Sequence, residues 1–278
     1  MDAPTIWRHG DRVNDATVKQ SIEDAVLQEK VGDAVVLTLH APAFRNACST
    51  EMREALLAHL QDAASDESCR FIVLTGADGH FCSGGRLPPD MKPDPERTRR
   101  NVAVLHDIVR ILYRGPKPTI SAVEGFAFGA GMSLALACDY LVAGDGVRFC
   151  ASFGRVGLMA DAGLAWTLPQ RIGAARARDL LLSGREMRGE EARAVGLVDE
   201  LVPAGEALER ALASGQRYAQ TAPLSLAATK RVLGGGHNSL DAVLAAESEE
   251  QPRLTLSQDY AEGRAAFREK RAPVFRGL

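Results

Sequence analysis

Two stretches decide how this chain folds: FIVLTGADGHFCSGG at residues 71–85 and TISAVEGFAFGAG at residues 119–131. Each begins as a short unbroken apolar run, the pattern of a strand covered on both faces, and each passes into a glycine-rich turn that leads to a helix start. Glycine lets backbone approach a ligand closely, and a helix N-terminus leaves N–H groups without intrahelical partners. Two such turns side by side can aim two amides at one oxygen, an oxyanion hole for charge developing on a carbonyl or thioester. Tight packing explains either turn taken singly.

Working outward, AVVLTLH (34–40) follows the turn signal VGD and reads as the second strand of a hairpin. Ser49 or Thr50 caps a helix that carries Met52, Leu56 and Leu60 and fades at AASDES. The loop ADGHFCSGGRLPPDMKPDPE (77–96) holds prolines at 88, 89, 93 and 95 and is expected to lack regular structure throughout. Val102, Leu105, Ile108, Val109 and Leu112 mark one helical face, RGPKP breaks it, and the second apolar strand follows. GFAFGAGMSLALACDY reads as a turn running straight into a helix too apolar to lie on a surface. LVAGDGVRF then reads as a hairpin, GLAWTLPQRIG and ARARDLLLSG as helices, and EEARAVGLVDELVP as a helix and a strand. The alternation predicts an α/β core over residues 1–204 and a helical region over 205–278.

The composition is that of an ordinary globular protein: 278 residues, 46% hydrophobic, 25% charged and a net charge of -3. Disorder and a nucleic-acid partner are excluded by these figures. The longest uncharged run, Gly125–Cys138, has 14 residues, short of the ~20 that span a bilayer. MDAPTIWRHGDRVNDATVKQ has neither a basic nor an apolar leader segment, so the expected location is cytoplasmic. The five cysteines form no CxxC pair, which argues against a zinc site and a disulfide framework. There is no P-loop, GAGMSL lacks the third glycine of a dinucleotide fingerprint, and Phe81 stands where a nucleophile elbow through Ser83 would need glycine.

The stretches FRNACS, ADGHFCSGG, KPTISAVEGFAFGAGMSLALACDY, FGRVGLMADAGLAWTLPQRIG and ARDLLLSGREMRGEEARAVGLVDELV, in that order, resemble the crotonase, or enoyl-CoA hydratase/isomerase, superfamily. The resemblance runs from about Ala34 to the C-terminus. It implies a crotonase-like spiral of ββα units with a C-terminal helical trimerisation region. It also implies assembly as a homotrimer or dimer of trimers and an acyl-CoA thioester substrate, with no metal or redox cofactor and with coenzyme A entering as part of the substrate.

The resemblance also implies roles for single residues. Gly85 and Ala130 match the two oxyanion amides. The two glutamates of similar hydratases match Ser133 and Phe153, neither of which can act as a general base on water at neutral pH. Asp161 matches the single catalytic acid of the ring-isomerising and Δ3,Δ2-enoyl-CoA isomerases. One carboxylate suffices to take a proton from one carbon and return it at another, and the apolar neighbours Met159, Ala160, Ala162 and Leu164 should raise its pKa. Without the resemblance, Asp161 reads as the N-cap of GLAWTLPQ. Hydration is the alternative reaction. Family members that hydrolytically dehalogenate aryl-CoA thioesters place a nucleophilic aspartate at the Asp161 site and a histidine base where His106 lies, although their aromatic at Phe153 is tryptophan. His106 otherwise reads as a packed core histidine. A catalytically silent acyl-CoA-binding member also fits the missing glutamates.

Arg86 reverses the charge of the family's usual aspartate and could meet a coenzyme A phosphate, a polar acyl group or solvent. In the basic tail EGRAAFREKRAPVFRG, Phe267 matches an adenine contact and Lys270 a phosphate contact made in a neighbouring subunit. Arg45 is a further phosphate candidate. Trp166, Phe126, Phe128, Met132 and Met159 are candidate walls of the acyl pocket, beside Ser133, Phe153 and His106; apolar residues at such spacing also serve as plain core.

Overall fold

A computed structural model of the chain describes residues 22–278 apart from Pro89 and Asn238. The N-terminal segment on which the location was read lies outside the described residues.

The first described elements are α1 (Ile22–Ala25) and a hairpin of β1 (Val26–Val31) and β2 (Ala34–Leu39), closed where Gly32 adopts φ 59. Ser49 accepts a hydrogen bond from the Met52 N–H and starts α2 (Thr50–Ser65). Next come β3 (Phe71–Gly76), α3 (Pro95–Arg114), β4 (Thr119–Val123), the short β5 (Phe126–Phe128), α4 (Ala130–Ala137), β6 (Tyr140–Gly144) and β7 (Arg148–Cys150). The remainder is α5 (Leu164–Ile172), α6 (Ala174–Ser183), β8 (Glu186–Arg188), α7 (Gly189–Ala194), β9 (Glu200–Val202) and the helices α8 (Ala207–Ala219), α9 (Pro223–Gly234), α10 (Leu240–Thr255) and α11 (Gln258–Glu269).

Among the described residues one sheet has the order β1-β2-β3-β4-β6-β9, parallel from β2 onward. Alternation along each strand divides its apolar residues between two cores. Ala34, Val36, Phe71, Val73, Ile120, Ala122 and Val142 pack with Ala207 and Ala211 of α8. Val35, Leu37, Ile72, Leu74 and Leu141 face the larger core with Met52, Leu56, Ile108 and Leu134 from α2, α3 and α4. These runs are continuously apolar because both faces of the sheet are covered.

A second sheet, β5-β7-β8, lies above the first, with β5 and β7 parallel and β8 antiparallel. This corrects two expectations. LVAGDGVRF is no hairpin, since β6 pairs with β4 and β9 while β7 pairs with β5 and β8. The Gly-Asp-Gly turn carries the chain from one sheet to the other. Likewise the glycine-rich turn after β4 first makes β5 and only then α4. Isolated parallel bridges, Cys48 with Gly85 and Cys82 with Ala127, extend the upper layer into the segment after β3. Each of β3, β4 and β6 is thus followed by an upper-layer segment, which is the expected crotonase-like α/β spiral. The loop expected over 77–96 ends early, because Pro95 occupies the first turn of α3 behind the Asp94 cap, where its missing N–H costs nothing.

The C-terminal helices are fastened to this core through polar groups, of which Lys230 is buried. Lys230 of α9 donates to the Leu112 and Lys117 carbonyls and to Asp139 at 2.9, 2.8 and 2.5 Å. Glu124 accepts from the Gly205 and Ala207 N–H groups and so holds the start of α8.

Candidate active site

The two glycine turns meet. Cys82 N–H donates to the Phe126 carbonyl and Phe128 N–H to the Cys82 carbonyl, at 2.8 and 2.9 Å. The same offset brings Gly84 against Gly129: a Cβ added to Gly129 would stand 3.7 Å from the Gly84 Cα, and one added to Gly84 would stand 3.3 Å from the Phe128 carbonyl oxygen. Both residues have φ in the left-handed half of the map, 109 and 48, so glycine is required here for conformation as well as space. Continued by one residue, the same offset would set Gly85 opposite Ala130.

The main-chain bonding explains why those two peptides are spare donors. Cys48 donates to the Gly84 carbonyl and accepts from Arg86 N–H, at 2.7 and 3.2 Å. In such a parallel bridge the residue between the two bonded peptides turns its own N–H to the opposite side, here away from Cys48. Ala130 is the first residue of α4, where N–H groups have no intrahelical acceptor. Its φ is not positive, so the side chain is carried without strain.

Asp161 closes the site from the loop before α5. Its main-chain carbonyl accepts from the Leu164 N–H and the Ser133 hydroxyl, both at 3.1 Å. Ala162 and Gly163 then take left-handed φ values of 47 and 74. The N-cap of α5 is Gly163, with no side-chain cap, which overturns the capping alternative for Asp161. The chain has already turned twice by the time the helix begins, so the carboxylate is too far back to reach its first amides. Instead Asp161 Oδ1 is buried and has no hydrogen-bond partner. Burial pushes this carboxyl above its ordinary value, against the opposing pull of Arg53 and His106.

Other expectations divide. Ser133 is buried and, besides reaching the Asp161 carbonyl, contacts the Gly129 carbonyl at 3.3 Å. Phe153 is buried, with its ring edge 3.9 Å from where a Gly129 Cβ would stand. His106 is exposed on α3 and not packed in the core, because the buried stripe of that helix runs through Leu105, Ile108 and Leu112. Trp166 is 47% exposed and its indole N–H bonds the Tyr113 hydroxyl at 3.2 Å. Met159 is 80% exposed, whereas Met132 is buried in α4. Phe126 and Phe128 point out of β5 and lie under the Arg148 guanidinium, at 5.0 and 5.7 Å, because only Ala127 of that strand faces the core.

Arg45 stands 5.4 Å over the Phe126 ring and Arg86 3.8 Å over the Phe44 ring, so each is held on an aromatic face beside the Gly84–Gly85 turn. Phe267, 85% exposed on α11, and Lys270, the left-handed cap of that helix, lie in the C-terminal region and not in the Asp161 cluster. The structure adds Arg53, a residue that pattern reading passes over as the solvated side of an amphipathic helix. Its Nη2 donates to the Cys48 carbonyl at 3.0 Å and lies 3.9 Å from where a Gly85 Cβ would be. Its Nε is buried without a partner.

Among the described residues no cluster of His, Cys, Asp or Glu is arranged to hold a metal ion. None of their helices is long and apolar enough to cross a membrane.

Comparison with known proteins agrees on the family of this fold. Residues 29–277 match the enoyl-CoA hydratase/isomerase family, and the chain belongs to it. It is similar to a protein of Rhodobacter capsulatus named probable enoyl-CoA hydratase, with 37% identity over 87% of this chain and 94% of the relative. It is also similar to 1,2-epoxyphenylacetyl-CoA isomerase of Escherichia coli, with 33% identity over 87% of this chain and 95% of the relative. Among solved structures, an enoyl-CoA hydratase from Polaromonas sp. JS666 superposes with a TM-score of 0.85 at 35% identity, covering 90% of this chain and 99% of that one.

Proposed function

We propose that this enzyme shifts a double bond in an enoyl-CoA thioester, with Asp161 as its single proton shuttle. The observation that carries the reading is the buried, unpartnered Asp161 Oδ1 facing a site whose other two acid/base positions are Ser133 and Phe153. The thioester oxygen sits between the Gly85 and Ala130 amides. Asp161 takes a proton from C2 of a 3-enoyl chain, and the electron pair of that C–H bond spreads into the thioester as a dienolate whose charge the two amides stabilise. The carboxylic acid then returns the proton at C4, leaving the double bond between C2 and C3 and Asp161 ionised again.

Hydration is the second reading, favoured by the names of relatives such as the R. capsulatus protein. Incubation with a trans-3-enoyl-CoA and, separately, a trans-2-enoyl-CoA in heavy-oxygen water, followed by mass spectrometry, separates the two. Migration without oxygen uptake supports the isomerase. Rapid oxygen uptake by the 2-enoyl substrate makes the protein a hydratase and sinks the single-shuttle mechanism.

We further propose that the chain works as a trimer or dimer of trimers and that Arg45, Arg86, Phe267 and Lys270 serve coenzyme A, the last two across a subunit boundary. The apolar side chains left exposed on the C-terminal helices, among them Leu233, Leu240, Leu256 and Phe267, support this. Sedimentation velocity tests it: a monomer at micromolar concentration would rule the assembly out.

A further inference from the structure

Arg53 combines three features not found together on a solvated arginine. Its guanidinium borders the Gly85 peptide, with Nη2 3.9 Å from the Gly85 Cβ position. Its charge acts on the Asp161 carboxyl. Its Nε–H is buried and unpartnered, while its Nη2 donates to the Cys48 carbonyl. A buried N–H with no acceptor is costly, and the cost is recovered only if an oxygen arrives to meet it.

We propose that Arg53 is a specificity residue that receives a carboxylate on the acyl group, so that the substrates of this site are acyl-CoA thioesters whose acyl chain bears a second, free acid. The inference rests on the acyl group lying over Gly85 and Asp161 as described above. The bond from Nη2 to Cys48 holds the guanidinium in place, leaving the Nε–H to meet one oxygen of a carboxylate in a charge-assisted hydrogen bond. The cation also shields the incoming acid from Asp161, a repulsion that would otherwise weigh against binding. An acyl chain ending in methyl would leave the Nε–H unmet, and the site discriminates against it for that reason.

The test uses two saturated, unreactive acyl-CoA thioesters of equal length, one ending in methyl and one in carboxylate, titrated calorimetrically into the wild-type protein, Arg53→Lys and Arg53→Met. The wild type should bind the carboxylate form at least tenfold more tightly. Arg53→Lys should keep part of that preference, and Arg53→Met should bring the ratio to one or invert it. A wild-type ratio of one, or a preference for methyl, overturns the inference whatever the variants do; so does a preference that survives Arg53→Met. Because neither ligand reacts, a protein that discriminates through Arg53 yet migrates no double bond loses the isomerase reading alone. One that migrates double bonds without discriminating loses the Arg53 assignment alone.

Discussion

The hydroxyl of Ser133 donates to the main-chain carbonyl of Asp161 at 3.1 Å, tying α4, whose first residue is Ala130, to the loop that carries the buried carboxylate. Ser133 thereby braces the Asp161 loop against α4. Ser133→Ala should cost about 1 kcal/mol of stability and lower kcat with little change in KM, read from urea unfolding and steady-state kinetics. An unaltered kcat would show that the brace does not position the base.

Asp161→Asn removes the ionisable group while keeping its shape. Turnover should fall by ~10²–10⁴-fold, the usual contribution of a positioned general base, with binding of a saturated acyl-CoA retained. Unchanged turnover would remove Asp161 from the mechanism.

The same carboxyl sets a pH dependence of two opposite signs. Its pKa lies above the ordinary 3.8 because burial disfavours the charge, so kcat/KM should rise with pH through an inflection above that value and stay level beyond it. Stability runs the other way, since a group that holds its proton more tightly when folded favours the fold at acid pH and loses that benefit as pH rises through the raised pKa. Asp161→Asn should therefore melt higher than wild type at neutral pH, and the gain should vanish in acid. A melting difference independent of pH would contradict the assignment.

Gly84→Ala places a Cβ at φ 109, 3.3 Å from the Phe128 carbonyl oxygen. The strain should cost about 1–3 kcal/mol, and the turns must move apart to relieve it, so activity should fall more than stability does. Chemical denaturation beside kinetics reads both.

Lys230→Met leaves Asp139 without its cation, the Lys117 carbonyl without its donor and the Leu112 carbonyl with the Thr119 hydroxyl alone. Lys230 is buried but Asp139 is exposed, so the loss should be about 1–3 kcal/mol, and pairing the change with Asp139→Asn should recover part of it. A surface-sized effect below about 1 kcal/mol would mean the α9 anchor contributes little.

The large sheet was legible because β3 and β4 are covered on both faces, and a strand so placed has to be apolar at successive residues. The small sheet was not. Its strands are three residues long and mix Arg148, Glu186 and Arg188 with apolar neighbours, so nothing periodic marks them. Their partners are chosen by the spiral and not by the local turn, which is why LVAGDGVRF reads as a hairpin and is none. At the site, the glycine turns were visible as a pair because each follows an apolar strand. Asp161 was ambiguous because an aspartate before a helix is also a cap, and only the consecutive left-handed residues Ala162 and Gly163 decide against that. Arg53 was invisible: one position past the buried Met52, an arginine on an amphipathic helix looks solvated until Gly85 is folded against it.

That the two turns interlock through main chain alone has an evolutionary consequence. The register that sets Gly84 against Gly129 is written in peptide bonds, so exchange of the side chains at 53, 106, 133, 153 and 161 leaves the paired amides where they are. A lineage built on this chassis can trade one reaction for another by rewriting a few side chains above a fixed floor, and relatives at one-third identity need not share a substrate to share a fold.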